Sequence, residues 1–558
     1  MDNAAIAEHF SLLSKLLDIH GDNSFKPKTY AAAAFNIDKL PSQLASTDLS
    51  EIAGIRGIGE SVSKKIKELL ETGRLAALDE IIFNTPPGVI EMLQIKGIGP
   101  KKINTIWKEM GIESIGELLY ACHENRLTRY KGFGEKTQKN VEESIQFYLL
   151  NQGHFLFAQL DSVFPQIDGY LKKLFGTDKV HITGAYRRHD LTIEEMEFVV
   201  LEKSQNTKPK FQTAQPPELL EENDTSLLYK LKNGLKLRLY TGGDNLCREV
   251  FLKTGPEAFT QAFLEKYPKT AFKSGGESDQ SVFTEAGIPF IEPWLRGKEG
   301  VLELAAGNKL PKVIETADIR AIIHSHSNWS DGVNTLEEMA AACIAKNYEY
   351  LVISDHSQSA FYANGLKEDR IREQHKLVDQ LNLTLAPFKI FKSIESDILN
   401  DGQLDYPESV LKTFDLVIAS VHSNLGMNED KANQRLLKAI ENPYTAILGH
   451  MTGRLLLSRN GYPVDHRKII DACASNNVVI ELNAHPRRLD IDWKWIGYAM
   501  DKGVLISIDP DAHATEGYED VKYGVLAAQK GGLTASFNLS SFSLEEFEGF
   551  LEMQKGKR

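Results

Sequence analysis

Three rhythms of apolar and polar residues succeed one another along this chain. Up to about residue 150 apolar residues recur at helical spacing, in Ile6–Leu17, Ser63–Leu70 and Val141–Leu149, with short glycine-containing turns between. Between Val180 and Tyr240 the pattern changes to that of strands, predicted at Val180–Thr183, Met196–Leu201 and Leu235–Tyr240. The polar, proline-containing stretch Lys203–Pro217 reads as a loop, and Lys273–Gln280, rich in Gly, Ser and Asp, as a surface turn. Beyond Ile314 short apolar strands alternate with helical patterns: Ala321–His324, Tyr350–Ser354, Lys389–Ile394, Leu416–Val421, Ala446–Gly449, Val478–Asn483 and Val504–Ile508. Such an alternation predicts a parallel β/α barrel or a close relative, in which functional residues gather at the C-terminal ends of the strands.

Candidate chemistry falls at those ends. The first strand runs into His324-Ser325-His326 and then Asp331-Gly332, and the second into Asp355-His356. The third carries Glu395 and Asp397, the fourth leads to His422, and the fifth to His450. The sixth offers Glu481 and Asn483, and the last runs into Asp509-Pro510-Asp511-Ala512-His513. His324 and His326 are two apart, so on a regular strand both face the same way, and Asp511 and His513 repeat that spacing. A lone strand-end histidine is usually a hydrogen-bonded structural residue, but chance does not place nine candidates at successive strand ends. Imidazole with carboxylate suits Zn²⁺, Mn²⁺ or Fe²⁺. The number of ligands exceeds what one tetrahedral ion needs. Two or three divalent ions bridged by a carboxylate fit better, and such a cluster can polarise a phosphate and activate water.

Composition narrows the picture. The 558 residues exceed one ordinary domain, and 42% hydrophobic with 25% charged residues is usual for globular proteins. The N-terminus lacks the basic-then-apolar layout of a secretory signal, and no apolar run reaches membrane-span length. Cys122, Cys247, Cys343 and Cys473 are far apart and form no CxxC pair, which suits a reducing cytosol and a cytoplasmic protein. The net charge of −13 argues against coating DNA by bulk charge. Local contacts through backbone amides and a few lysines stay open, since residues 1–150 hold 18 Lys+Arg against 20 Asp+Glu.

The segments HSHSNWSDG, SDH, IESDIL, VHS, GH and DPDAH resemble the polymerase-and-histidinol-phosphatase (PHP) superfamily over most of residues 318–520. The resemblance implies that His324, His326, Glu395 and Asp511 hold one ion, that Glu395, His422 and His450 hold a second, and that Asp331, His356 and His513 hold a third. All nine family positions are filled. Arg454, in GHMTGRLL, is a candidate to reach a phosphate, or else a packing residue. Asp355 and Asp397 are candidates to orient ligands, and Asp355 is also a catalytic candidate beside Arg454. Arg487 or Arg488 could meet a DNA backbone.

The N-terminal region repeats one short pattern three times, in Gly57-Ile58-Gly59, Gly97-Ile98-Gly99 and Gly132-Phe133-Gly134, each before a helix and each followed by a lysine (Lys64, Lys101, Lys136). Glycine lets the backbone approach a ligand, and helix N-terminal amides accept a phosphate. The pattern resembles the helix-hairpin-helix motif. From about residue 5 to 310 the chain resembles a bacterial family X DNA polymerase. LLDIHGDNSFKPKTYAAAA matches its small N-terminal domain, GAYRRHD its nucleotide-binding turn with Gly184 and Arg187, and PFIEPWLR the end of its core. Lys65 aligns with a lysine that forms a Schiff base in some members, or simply belongs to a solvated helix face.

That family uses three aspartates for two Mg²⁺ ions. Aligned from Gly184, their places are taken by Glu195, Glu197 and Lys236, and Ala185 stands where a serine is usual. Glutamate is one methylene too long for an ion that tolerates little distortion, and lysine repels it. Mg²⁺ and nucleotide addition are therefore expected to be lost or very weak.

The fold expected is multidomain, with a small helix-hairpin-helix domain at 1–80, a fingers-like helix-hairpin-helix domain at 81–150, an α+β palm/thumb at 151–312, and a distorted (β/α)7 PHP barrel at 313–558. The function the resemblance implies is a metal-dependent DNA phosphodiesterase, a 3′→5′ exonuclease with abasic-site or 3′-phosphate cleavage as further options. Mn²⁺ is the preferred ion, gapped or single-stranded DNA the partner, and a monomer the working form. The alternatives are an active repair polymerase with a proofreading barrel, or a small-molecule phosphatase like histidinol phosphatase.

Overall fold

The computed structural model describes residues 1–22, 25–48, 51–55, 58–123, 127–151, 153–211, 216–232, 234–270, 272, 278–457 and 460–558. The chain divides into two compact units, Met1–Gln152 and Gly153–Arg558. Among the described residues no helix is long and apolar enough to cross a membrane.

The first unit is helical. Its opening helix, Asn3–His20, starts where the Asp2 carboxylate accepts from Ala5 N at 2.8 Å. It stops at Gly21, whose φ of 76° closes the last turn. The apolar stripe Ile6, Phe10, Leu13 and Leu16 is buried, as its spacing predicts. The expected helices at Ser63–Leu70 and Val141–Leu149 lie inside Glu60–Thr72 and Glu135–Asn151.

Besides a two-stranded ladder of Phe155–Leu156 with Thr192–Ile193, the second unit holds two larger sheets among the described residues. The smaller contains β1 (Val180–Thr183), β2 (Glu195–Val200), β3 (Glu218–Glu222), β4 (Ser226–Lys230) and β5 (Lys236–Tyr240). Their order is β1-β2-β5-β4-β3, and β2 and β5 are parallel with Glu195 opposite Lys236 and Glu197 opposite Arg238. The hairpin β3–β4 was not expected. It turns on Asn223, whose side chain accepts from Thr225 N at 2.9 Å. The expected loop at Lys203–Pro217 is helical over Ser204–Thr207 and Lys208–Phe211, because Phe211 buries against Tyr229 and Phe175. Lys273–Gln280 falls mostly outside the described residues, and at its end Asp279 is fully buried, so that end is no surface turn.

The larger sheet is a nearly closed parallel barrel of seven strands in chain order: β6 (Ala321–Ser325), β7 (Tyr350–Ile353), β8 (Lys389–Asp397), β9 (Leu416–Ser420), β10 (Ile447–Leu448), β11 (Val479–Asn483) and β12 (Ile506–Asp509). A bridge between Ser325 and Ala512 joins the last strand end to the first. Nearly every strand residue is buried, as expected where helices cover one face and the barrel core fills the other. The bottom of the core is apolar and plugged by the helix Leu544–Lys555, with Phe547 stacked on Tyr350 at 4.5 Å. The top is polar.

The helix Val521–Gly531, which comes after the last candidate ligand, docks the barrel on the smaller sheet. Lys530, 4% exposed, donates to Arg188 O at 2.6 Å and pairs with Asp190 at 2.8 Å. Lys522 pairs with Asp161 at 2.5 Å, and Tyr523 meets Phe157 edge-on. Breaking a buried pair leaves an uncompensated charge. Asp190→Ala in the full chain is expected to destabilise it by about 2–4 kcal/mol, read as a lowered Tm by calorimetry, whereas Lys522→Ala, at an exposed lysine, should cost less than about 1 kcal/mol. Equal effects would contradict this account of the joint.

Candidate metal centre

All nine predicted ligands converge at the top of the barrel. Glu395, at the end of β8, lies at their centre and is 1% exposed. Its Oε1 is 3.0 Å from His450 Nε2, 3.1 Å from His422 Nε2 and 3.3 Å from His324 Nε2. Its Oε2 is 2.9 Å from His356 Nδ1 and 3.7 Å from His326 Nε2. Asp511 Oδ1 lies 3.0 Å from His326 and 3.5 Å from His324. Asp331 lies 3.4 Å from His513 and 3.8 Å from His356. Ligand atoms about 2.1 Å from a shared ion stand about 3.0–3.4 Å apart for octahedral to tetrahedral angles, so most of these separations fit a common cation.

Three overlapping groups could each hold an ion: His324, His326 and Asp511; His326, Asp331, His356 and His513; and His356, Glu395 and His422. His450 touches Glu395 but falls outside these groups. His326 and His356 stand between neighbouring groups, a sharing that the resemblance did not imply. The donor set also fits cations by what it leaves unsatisfied. His324 Nε2 and Glu395 Oε2 are buried yet make no hydrogen bond among the described residues.

Electrostatics point the same way. Burial would lower the His422 pKa, but Glu395 and Asp397 push it up to about 10. Burial likewise opposes charge on His513, which Asp331 and Asp511 nonetheless push up to about 9. Burial would also raise Glu395, yet His422, His324 and His356 hold it well below the usual carboxylate range. His326, by contrast, is pushed down to about 3, by burial and by His356. The site holds positive charge strongly, and a divalent ion binding there would displace these protons.

The local backbone departs from the expected strand geometry. His324 has φ 57° and Asp511 φ 51°, both left-handed. On β6 the pairing slips, with Ile322 opposite Leu351 but Ser325 opposite Ile353. One extra residue flips the facing of the residues beyond it, so the two histidines reach the interior although Ala321 and Ile323 already point there. Asp511 and His513 lie beyond β12, in the loop that closes the barrel, rather than along a strand. Such strained positions persist where surrounding contacts determine them. His326 N, for example, donates to Ala512 O at 2.8 Å.

Carboxylates behind the ligands aim them. His324 Nδ1 donates to Glu481 Oε2 at 2.5 Å, which turns Nε2 to the centre. Glu481 Oε1 accepts from His450 N and from Asn483 Nδ2, both at 3.0 Å, and Asn483 Nδ2 also donates to Asp511 at 3.0 Å. Asp397 accepts from His422 Nδ1. By sequence Glu481 and Asn483 stood as strand-end candidates near the rim, and the structure places them behind the ligands. A buried acid two residues before a buried amide was the available signal. Asp355, expected as a catalytic candidate, is fully buried behind the ligands. It accepts from Ser327 N and Oγ, Ser330 Oγ and Gln374, and so fixes the turn that bears Asp331. Arg454, expected at a phosphate, instead donates to Arg488 O at 2.9 Å and to Leu489 O, and pairs with Asp492 at 2.9 Å, so it shapes the loop 488–492. Arg488 brings a positive charge to the ligands, 3.6 Å from Asp511.

The polymerase-like residues are otherwise engaged. Arg238 grips Glu195 at 2.5 and 3.0 Å, and Lys236 pairs with Glu194 at 2.5 Å. Glu197 folds over Gly184 and accepts from Ala185 N at 3.0 Å, where a Cβ on Gly184 would collide with it at 1.7 Å. Arg187, expected beside a nucleotide, pairs with buried Asp279 at 2.7 Å, as does Arg296. In the helical unit Gly57 lies outside the described residues. Ile58, Ile98 and Phe133 are buried while Gly59, Gly97, Gly99, Gly132 and Gly134 have open space around them. Lys64, Lys101 and Lys136 are exposed and Lys65 half-buried. The buried apolar residue thus sits beside glycines that are themselves exposed.

Family comparisons match this layout. Residues 1–75 match a helix-hairpin-helix domain, 89–145 a SAM-like helix-hairpin-helix tandem, and 323–485 the PHP domain. The chain is 30% identical over 557 residues to the DNA polymerase/3′-5′ exonuclease PolX of Bacillus subtilis, covering 96% of this chain and 97% of that protein. Its C-terminal part is 27% identical over 214 residues to a probable phosphatase of Caldanaerobacter subterraneus (35% of this chain, 77% of that one). It is 37% identical over 147 residues to one of Clostridium acetobutylicum (24% and 57%).

Loss of a carboxylate that orients a metal-bound histidine costs about 10–100-fold in metal affinity. Glu481→Ala is therefore expected to weaken Mn²⁺ or Zn²⁺ binding by that factor in equilibrium dialysis with the fold kept by circular dichroism, and unchanged affinity would remove Glu481 from this role.

Proposed function

The chain belongs to the bacterial family X DNA polymerases that carry a C-terminal PHP domain, and from that premise we propose that its working chemistry is 3′→5′ hydrolysis of DNA by the barrel, with the polymerase-like half serving to hold the strand. It is a metal-dependent phosphoesterase. The observation that carries the proposal is the cluster of nine candidate ligands centred on Glu395, with buried lone pairs left for cations. Bound divalent ions, Mn²⁺ by preference and Zn²⁺ or Fe²⁺ otherwise, would supply Lewis acidity toward a phosphate oxygen and activation of water. The chain's own part is to hold and orient. Glu481 and Asp397 fix the rings of His324 and His422, Asp355 fixes the turn of Asp331, and Arg488 presents positive charge at the rim. The exposed hairpin glycines offer amides to a DNA backbone without reading bases. The same centre would act on abasic sites and 3′-phosphates.

We read the polymerase-like sheet as inactive, working on DNA in the cytoplasm only as a frame. The support is chemical: each glutamate at a metal position is already neutralised by Arg238 or bonded to the Ala185 amide. A phosphatase of small molecules is the second reading, favoured by the likeness of the barrel to probable phosphatases.

With Mn²⁺ the full chain is expected to shorten 3′-ended single-stranded DNA far faster than it releases phosphate from histidinol phosphate. His326→Ala should slow the DNA reaction by at least about a hundredfold, since even an orienting partner's loss costs about 10–100-fold in metal affinity or activity. No degradation by wild type, or an unimpaired variant, would sink the nuclease reading, and preference for histidinol phosphate would select the second one. On a primed template with Mg²⁺ and all four nucleotides, no extension is expected from wild type. Extension at a rate matching its exonuclease rate would overturn the reading of the sheet.

A further inference from the structure

We propose that a cleft beside the turn bearing Asp331 is a binding site for one nucleobase of the strand being cut, an inference that rests on the DNA reading above. The cleft has a volume of about 380 Å³ and is lined by Asn328, Trp329, Leu336, Glu337, Arg370 and Leu377, with Thr335 at its edge. That volume is within the range of ligand pockets and ample for a single base.

Its position ties it to the metal centre. Trp329 and Asp331 lie on one tight turn, closed by Ser330 N and Gly332 N donating to Ser327 O at 3.1 and 2.9 Å. Two residues apart, their Cα atoms are separated by at most about 7.6 Å. The turn is anchored from beneath by Asp355. From the side, Arg370 Nη2 and Asn364 Nδ2 donate to Trp329 O. The backbone of Trp329 is thus held in place, and its half-buried ring stands two residues from a ligand to a candidate ion.

The lining selects a base over a phosphate. Arg370 looks like an anion receptor, but its Nη1 donates to Asn364 O at 2.9 Å and its Nη2 to Trp329 O. Its guanidinium carbon sits 5.8 Å from the Trp329 ring centroid. Exposed Glu337 repels a phosphate and can accept from the exocyclic amine of adenine, cytosine or guanine. Exposed Asn328 offers both a donor and an acceptor to a base edge. An indole ring with such neighbours is suited to stack on a base, which works for any sequence because every base has a π face.

The test uses the full-length protein, Mn²⁺ and two single-stranded oligonucleotides that differ only in whether the 3′-terminal nucleotide carries its base. Wild type is expected to show a lower KM for the base-bearing end. Trp329→Ala should reduce that preference by about tenfold, the order expected from losing one base–aromatic stack, and Trp329→Phe should restore most of it. Leu377→Trp, which enlarges a lining side chain on the helix Glu368–Leu385 and leaves the turn's residues unchanged, should reduce it as Trp329→Ala does. If wild type shows no preference, or if Trp329→Ala and Leu377→Trp slow both substrates by the same factor, the base site is refuted while the nuclease stands. If wild type cuts neither oligonucleotide, the DNA reading falls and the base site with it.

Discussion

The structure turns on one buried charge. Glu395 sits at the end of a barrel strand, 1% exposed, and among the described residues its charged partners are histidines rather than arginine or lysine. An isolated carboxylate in such a place is costly, so it must be met by cations. Five histidines supply the setting, His324, His326, His356, His422 and His450, delivered by four strand ends. Because an imidazole, unlike a guanidinium, can give up its proton to an arriving ion, the positive charge around Glu395 is exchangeable for metal. The parallel barrel is what lets these rings meet, since every strand delivers its end to the same rim.

That rim is also where the barrel is braced. The loop closing the barrel, with Asp511 and His513, leads into the helix Val521–Gly531, whose far end buries Lys530 against Arg188 O and Asp190. Leu489 and Pro486, next to the ligand-orienting Asn483, line an apolar cavity with Phe157 and His189 of the smaller-sheet region. The polymerase-like half therefore contacts the two loops that fix the last ligands. A strained residue such as Asp511 needs that kind of surrounding determination.

Much of this was legible in the sequence, and the reasons for the rest are specific. β1 is where the alternation put it, and the barrel strands start within about two residues of expectation, because runs buried on both faces are continuous and apolar. The nine candidate ligands were legible because they close such runs or follow just after them. The left-handed turn at His324 was not, since no glycine or asparagine marks it and the slip is defined only by pairing with β7. Glu481 was legible as an acid but not as the partner of His324, because the two are 157 residues apart and meet only when the barrel closes. Arg238 was passed over for a similar reason. Lys236 and Arg238 share a strand face, and their pairing is diagonal: Arg238 reaches Glu195 although Glu197 lies directly opposite it, and Lys236 reaches Glu194 although Glu195 lies opposite.

One chain thus holds two carboxylate sites of opposite character. At Glu195 the neutralising partner is a guanidinium, which stays charged at any physiological pH and holds both carboxylate oxygens in its fork. No metal can take that place without expelling a whole side chain. At Glu395 the partners are imidazoles whose protons leave as an ion arrives, and whose nitrogens then become ligands. An arginine placed as Arg238 is closes a metal site while the carboxylate it grips stays satisfied in the fold. Among the described residues no guanidinium meets Glu395 in that way. The barrel centre is satisfied only with protons or metal ions in place, and so the ligand set there must stay whole.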